Sequence, residues 1–316
     1  MSVTPKTFFD QVPIPIGFEN GCAWIDNQYL PIEKAAVPIL DVGFSKSDCT
    51  YDVVATWKGK FFRLDDHLDR FEKNWKQLKF KPPITKAQMK NILIECVKRS
   101  GLRDSYVEMI VTRGIPLNGE RDPRKFSNRF YAYAIPYVWI VKPEDQVKGV
   151  HLAISNETFR IDPKSVDPKV KNFHWGDMTK ALFEAYETGA ETTILPSADG
   201  YITEGPGFNI FALTEGALWT PESGVLEGIT RKTVIEIANN LNFELTEQNI
   251  SKEDLLSADE LFFTGTATEV IGVVSVDNSY IGNGSPGDVT NAIRKKYLEI
   301  VNGNDANSDN YLTLVK

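Results

Sequence analysis

Asp167-Pro168-Lys169-Val170-Lys171-Asn172-Phe173 and Thr203-Glu204-Gly205-Pro206-Gly207-Phe208-Asn209 are the two islands on which the reading of this chain turns. Between them, residues 177–188 repeat at helical spacing, with Met178, Leu182 and Ala185 on one face and Gly189 as the stop. A lysine therefore precedes a helix, and a glutamate follows it in a β segment. A lysine that ends a half-buried extended segment can lose its proton when desolvated and attack a carbonyl as a neutral amine, and Lys171 has that placement. Glu204 is followed by Gly205 and Gly207, which let backbone approach closely. A carboxylate buried there needs a cationic partner, and a protonated pyridine nitrogen would serve. A solvated lysine and a carboxylate in a turn also fit, so these two positions alone leave function open.

Outward from these islands, 316 residues exceed one ordinary core and fit two domains. The expected division is a first domain over residues 1–135 with an N-terminal arm, a linker over 136–149 and a second domain over 150–316. Apolar residues make up 42% and charged residues 25%, as in a water-soluble globular chain. No apolar run reaches the roughly 18 residues of a membrane span, and no basic-then-apolar leader opens the sequence, so a cytoplasmic protein without a membrane partner is expected. With 35 basic against 43 acidic residues, the net charge of -8 repels a polyphosphate backbone, which argues against a nucleic-acid partner. Cys22, Cys49 and Cys96 are odd in number and widely spaced, and there are three histidines, so neither a disulfide frame nor a metal centre is expected.

In chain order, residues 23–30 read as a hairpin about Asp26-Asn27-Gln28, and residues 48–57 as a strand closed by Lys58-Gly59-Lys60. From Asp65 a helix carries His67, Leu68, Phe71, Trp75 and Leu78 as one stripe; Arg70 lies off it, a surface position by periodicity alone. Thr85 and Gln88 open a second helix as a capping box, with Met89, Ile92, Leu93, Cys96 and Val97 inward and Gly101 as its stop. Strands over 105–112 and 129–135 flank a polar loop, 113–124, of the length seen in functional lids. A strand at 150–154 leads to the lysine segment. Asp199-Gly200 and Thr214-Glu215-Gly216 bound strands at 201–203 and 208–213. In Leu226-Glu227-Gly228-Ile229-Thr230, Thr230 is expected to cap a helix to Asn240, which makes a phosphate seat or simply a capped helix. Phe262-Phe263-Thr264-Gly265-Thr266-Ala267-Thr268-Glu269-Val270 reads as a buried strand ending in a turn able to bind an anion. The last helix, over 286–301, turns Val289, Ile293, Tyr297 and Ile300 inward.

Val170-Lys171-Asn172-Phe173-His174-Trp175-Gly176-Asp177, followed by Thr203-Glu204-Gly205-Pro206-Gly207-Phe208-Asn209, resembles the paired signature of fold type IV transaminases that use pyridoxal 5'-phosphate (PLP). Within that group it is most similar to the (R)-selective amine transaminases, and the similarity runs from about Ala23 to Ile300. The resemblance implies a two-domain α/β (α+β) fold, with a small N-terminal α/β domain and a larger C-terminal pseudo-barrel domain. It implies a homodimer acting on small-molecule amine and keto acid substrates, with residues 29–31 and 114–129 completing the partner's site. It further implies that Lys171 carries the cofactor and shuttles the proton, that Glu204 faces the pyridine nitrogen, and that Arg70, Ile229, Thr230, Gly265 and Thr266 hold the phosphate. Lys46, Tyr51, Glu108, Arg121, Trp175 and Ala267 would line the substrate pocket.

Some positions depart from that pattern. Lys46 stands where the amine enzymes carry histidine. Residues 264–270 look more like the branched-chain aminotransferases, whereas Trp175 replaces their tyrosine and Glu108 replaces a basic residue. The expected activity is transfer of an amino group from an (R)-configured amine to a keto acid such as pyruvate. A branched-chain or D-amino acid aminotransferase is the alternative, and an aminodeoxychorismate lyase a further one.

Overall fold

The computed structural model describes residues 15–315, so most of the expected arm lies outside the described residues. The chain forms two compact units. The first holds the described residues up to Val138, then Lys171–Phe173 and the stretch from Ile300; the second holds Trp139–Val170 and His174–Glu299.

In the first unit, β1 (Cys22–Ile25) and β2 (Gln28–Pro31) are joined by Asp26 and Asn27 at φ 50° and 62°. Two left-handed residues give the turn the twist of the strands it joins, and asparagine and aspartate tolerate that conformation. A short helix α1 (Val42–Lys46) follows, its Asp41 cap accepting from the Gly43 amide at 2.8 Å; five residues are too few to show a period in sequence. Then come β3 (Cys49–Trp57), β4 (Lys60–Phe62), α2 (Leu64–Gln77), α3 (Lys86–Ser100), β5 (Ser105–Ile115) and β6 (Ser127–Pro136). The antiparallel sheet runs in the order terminal strand (Leu312–Leu314), β4, β3, β5, β6, β1, β2.

One face of this sheet packs on α2 and α3 through Val54, Val107, Met109 and Phe130 against Leu68, Phe71, Met89 and Leu93. Fully burying each such side chain contributes about 1.5–3 kcal/mol. The Thr85–Gln88 capping box and the Gly101 stop form as expected. Strand alternation turns Tyr51, Glu108 and Tyr133 to the opposite face, Glu108 pairing with Val53 on one side and Tyr133 on the other. The loop is shorter than expected, since β5 and β6 continue past a register shift at Gly114. That glycine sits at φ 93°, and a Cβ there would meet the Ser127 carbonyl oxygen at 1.8 Å, so only glycine lets the ladder continue.

The second unit contains α4 (Pro143–Gln146), β7 (Val150–Ile154), α5 (Gly176–Thr188), β8 (Thr192–Ile194), β9 (Glu204–Gly205), β10 (Phe208–Thr214), β11 (Ala217–Thr220), α6 (Ile229–Asn240), β12 (Leu245–Glu247), α7 (Lys252–Leu256), β13 (Glu260–Gly265), β14 (Glu269–Val276), β15 (Ser279–Tyr280) and α8 (Asp288–Val301). Its nine-stranded sheet runs β12-β11-β10-β13-β14-β7-β8, with β9 on β10 and β15 on β14. The centre of the sheet is buried on both faces, which explains the apolar runs 210–213 in β10 and 261–263 in β13: Phe208 stacks on Phe263 at 4.3 Å and Phe211 on Phe262 at 5.0 Å.

Helix α5 ends at Gly189 as expected, but its buried face is Met178, Ala181 and Ala185, with Leu182 half-buried. No strand forms at 201–203. Ile202 donates to Ile250 and Thr203 to Leu195, so consecutive amides go to different neighbours and only a single bridge to Pro196 results. In α8, Ile293, Tyr297 and Ile300 are buried, with Val289 half-buried and Thr290 taking an inward place.

Candidate active site

The residues singled out from sequence fall into two groups, one in each unit. In the first unit, the Lys171 carbonyl accepts the Tyr51 amide at 3.2 Å and the Thr50 hydroxyl at 2.7 Å. The Asn74 amide, oriented to satisfy both its ends, accepts from the Lys171 amide at 3.2 Å and donates to the Arg70 carbonyl at 3.3 Å. With its backbone fixed on β3 and α2, Lys171 lays its Nζ over the Tyr51 ring, 4.4 Å from the centroid, while Phe173 packs against that ring at 4.6 Å. Glu108 is 6% exposed, and its Oε2 accepts from Tyr106 at 3.0 Å and Tyr133 at 2.7 Å. Burial holds its carboxyl above the usual carboxylate range, with the two tyrosine hydroxyls and the charge of Lys171 pulling the other way.

Arg70 is not the surface residue that periodicity suggests. Its Nε and Nη2 donate to the two oxygens of fully buried Asp52 at 2.8 and 2.7 Å, and His67 Nδ1 shares Asp52 Oδ1 at 2.8 Å. Burial alone would raise the Asp52 carboxyl, but Arg70 and His67 outweigh it and hold it well below its ordinary value. Burial in turn keeps His67 low, so it acts as a neutral donor in the core. An aspartate inside the apolar run Tyr51-Asp52-Val53-Val54 was the sequence signal for a buried cation. Lys46 is exposed at the end of α1, and Arg121 is exposed in the 116–126 loop.

In the second unit, sheet register does the assembling. Asn209 on β10 pairs with Glu204 on one side and Thr264 on the other. Asn209 Nδ2 donates to the Leu226 carbonyl at 3.0 Å, and the Leu226 amide donates to Glu204 Oε2 at 2.8 Å. These two bonds bring the start of α6 to the glutamate. The N-cap of α6 is Gly228, not Thr230, which lies within the first turn and is buried. A Cβ at residue 228 would lie 2.2 Å from Asn209 Oδ1, so a capping side chain has no room and the sequence rule for caps fails here. Ile229 and Thr230 still contribute first-turn amides that lack partners inside the helix. The turn after β13 is drawn to the same strand: a Cβ at Gly265 would sit 2.6 Å from the Gly207 carbonyl and 2.7 Å from Thr268 Oγ1. Trp175 opens α5, and its ring edge lies 3.8 Å from where a Cβ of residue 207 would be; Ala267, 9% exposed, accepts from the Ile140 amide at 3.3 Å.

One residue of this group was missed from sequence. Arg160 donates through Nη1 to Asp177 at 2.6 Å and through Nε to Glu204 Oε1 at 3.2 Å, with all three side chains under 10% exposed. Burial works against its charge, but Glu204 and Asp177 overcome that and hold the guanidinium above its ordinary value. The cationic partner required by Glu204 thus exists within the protein, and Arg160 keeps the carboxylate charged and aimed.

These residues fit a phosphorylated pyridine aldehyde. The buried hydroxyls of Thr264 and Thr268, flanking the 265–267 turn, make no hydrogen bond among the described residues, as expected of donors reserved for an anion. The first unit offers an amine suited to an aldehyde; the second, by itself, offers a carboxylate suited to a ring nitrogen and amides with hydroxyls suited to a phosphate.

The chain belongs to the class IV aminotransferases, whose family model matches residues 50–276. It is 30% identical over 280 residues to a putative branched-chain-amino-acid aminotransferase of Methanocaldococcus jannaschii, covering 88% of this chain and 95% of that one. It is 32% identical over 268 residues to the D-alanine aminotransferase of Bacillus licheniformis, covering 83% and 90% respectively. The fold matches the branched-chain amino acid aminotransferase from Thermobaculum terrenum, solved in its PLP form, at a TM-score of 0.84 and 26% identity, over 94% of this chain and 99% of that one. The architecture is the two-domain α/β arrangement of fold type IV enzymes.

Proposed function

We propose that this aminotransferase moves an amino group from an (R)-configured primary amine to a small keto acid such as pyruvate. The cofactor is pyridoxal 5'-phosphate. When bound, it supplies an electron sink for the pair left as the substrate C–H bond breaks. Lys171 would hold it through Nζ and, once displaced by the amine donor, would take the proton from the substrate carbon at that same nitrogen and pass it to the cofactor's carbon. Glu204, kept ionised by Arg160 and the Leu226 amide, holds a proton on the ring nitrogen. Arg70, aimed by Asp52, holds the phosphate together with Ile229, Thr230, Gly265 and Thr266.

Glu108 carries the preference against substrates with a second carboxylate. A buried carboxylate fixed by two tyrosines repels a distal carboxylate such as that of glutamate, and an acceptor as small as pyruvate avoids it. Tyr51 in the first unit, whose ring packs on Phe173, offers apolar surface suited to an aryl or alkyl amine, and Trp175 is the aromatic that the second unit would offer. The second reading, amino acid donors of the branched-chain or D-alanine type, is favoured by the names of the relatives. Side-by-side assays decide between them, using (R)- and (S)-1-phenylethylamine with pyruvate, and L-leucine and D-alanine with 2-oxoglutarate. The (R)-amine should turn over fastest; faster L-leucine or D-alanine, or preference for the (S)-amine, refutes the amine reading.

The reading includes a cytoplasmic homodimer in which residues 29–31 and 114–129 complete the partner's site, with Arg121 and Lys46 available to a keto acid carboxylate. Among the described residues no helix is long and apolar enough to cross a membrane. Light scattering at assay concentration tests the dimer, and a fully active monomer contradicts it.

A further inference from the structure

The ring nitrogen and the phosphate of pyridoxal 5'-phosphate are fixed relative to each other, so the carboxylate for one and the amides for the other must keep a matching separation. Helix α6 does not set that separation by itself. Its cap, Gly228, has no side chain, and residues 221–227 before it form neither helix nor strand. Arg231 anchors the helix to Thr220, Pro221 and Glu247, on the β11 and β12 side. The tie towards Glu204 comes from Asn209, its partner across the β9–β10 ladder, and both side chains belong to buried residues. Asn209 Nδ2 donates to the Leu226 carbonyl at 3.0 Å, and the Leu226 amide donates to Glu204 Oε2 at 2.8 Å. Both polar groups of one loop residue are thus held by two facing residues of one ladder. The Leu226 carbonyl also accepts the Gly228 amide at 2.8 Å, which carries the tie on to the helix cap. A Cβ at residue 228 would lie 2.2 Å from Asn209 Oδ1, so the same side chain that draws Leu226 in also sets how closely the cap can pack.

We propose that Asn209 is a positioning residue that sets the spacing between Glu204 and the first turn of α6, so that one rigid cofactor reaches both. The role rests on the reading of Glu204 as the partner of the ring nitrogen and of the α6 amides as holders of the phosphate. It requires no contact with the cofactor and no proton transfer, because Asn209 acts through Leu226 and Gly228. Its consequence is selective: loosening Asn209 leaves each anchor able to bind its own half of the cofactor and removes the advantage of binding both halves in one molecule.

The test is calorimetric titration of the full-length protein, stripped of cofactor, with pyridoxamine 5'-phosphate and with its two parts, pyridoxamine and inorganic phosphate. Pyridoxamine 5'-phosphate forms no covalent bond to a lysine, so its affinity reports the anchors alone. Asn209→Ala should weaken pyridoxamine 5'-phosphate about tenfold, while each part stays within about twofold of its wild-type affinity. Gly228→Ala, whose methyl group is forced against Asn209 Oδ1, should give the same split. In the double variant that methyl group fits the space the amide vacates, so the combined loss should be smaller than the product of the two single losses. Unchanged binding of pyridoxamine 5'-phosphate in Asn209→Ala overturns the proposal, as does equal weakening of all three probes or a fully multiplicative loss in the double variant. If Asn209→Ala does not fold, Gly228→Ala decides by the same split. A wild-type protein that fails to bind pyridoxamine 5'-phosphate overturns the cofactor reading itself, an outcome distinct from wild-type binding that Asn209→Ala leaves unchanged.

Discussion

Replacing Arg160 by methionine, which keeps the length of the side chain and removes its charge, should reveal how Glu204 is kept ionised. Arg160 bridges two carboxylates, and the side chains are 8% exposed for the arginine and 6% for each acid. Removing one partner of a buried ion pair costs about 3–5 kcal/mol, because the remaining charge is stranded. The two acids are left unequal. Asp177 still accepts the Ile161 and Met178 amides at 2.9 and 2.8 Å, whereas Glu204 keeps the Leu226 amide and loses the group that balances its charge. Glu204 is therefore the acid that takes up a proton in the variant. Its folded-state affinity for the proton then exceeds that of the unfolded chain, so the loss of stability is small near pH 4 and grows as pH rises towards neutrality. Urea unfolding at pH 5 and pH 8 should show a deficit of about 3 kcal/mol or more at the higher pH and a smaller one at the lower. Transamination should also fall, since a protonated Glu204 cannot hold a proton on the ring nitrogen. A deficit below about 1 kcal/mol that is equal at both pH values refutes the account.

Lys171→Ala should abolish turnover and the visible absorbance of the bound cofactor, while Lys180→Ala, an exposed position on α5, should change neither; kinetics and a spectrum suffice. Gly205→Ala would place a Cβ 2.1 Å from the Phe208 ring and 2.5 Å from the Thr193 carbonyl, so thermal unfolding should show a loss of about 1–3 kcal/mol. Glu269 is buried, and burial lifts its carboxyl from 4.5 to about 7 against the pull of Arg294. The unfolded chain ionises first, so stability should fall by about 3 kcal/mol as pH rises from roughly 4.5 to 7, then level off. Glu269→Gln should remove that slope, which unfolding titrations across this range would show.

Local chemistry is what the sequence by itself determined. The Asp26-Asn27 turn, the Thr85–Gln88 capping box, the Gly101 and Gly189 stops and the paired islands around Lys171 and Glu204 are legible because each depends on residues within a few positions of one another. Tertiary structure decided which distant groups share a charge or a space. Arg160 is 17 residues from Asp177 and 44 from Glu204, and only the fold brings its guanidinium to both carboxylates. Arg70 looked like a surface residue because helical periodicity records apolar faces and does not see a buried aspartate on a neighbouring strand. Thr230 lost the cap of α6 to Gly228 because Asn209, from another strand, fills the space a capping side chain would need. The terminal strand joins the first unit's sheet beside β4, a pairing set by contacts hundreds of residues apart in the chain. Propensity and capping act over a turn or two of backbone, whereas desolvation makes a buried charge seek its partner through space, and that partner can come from anywhere in the chain.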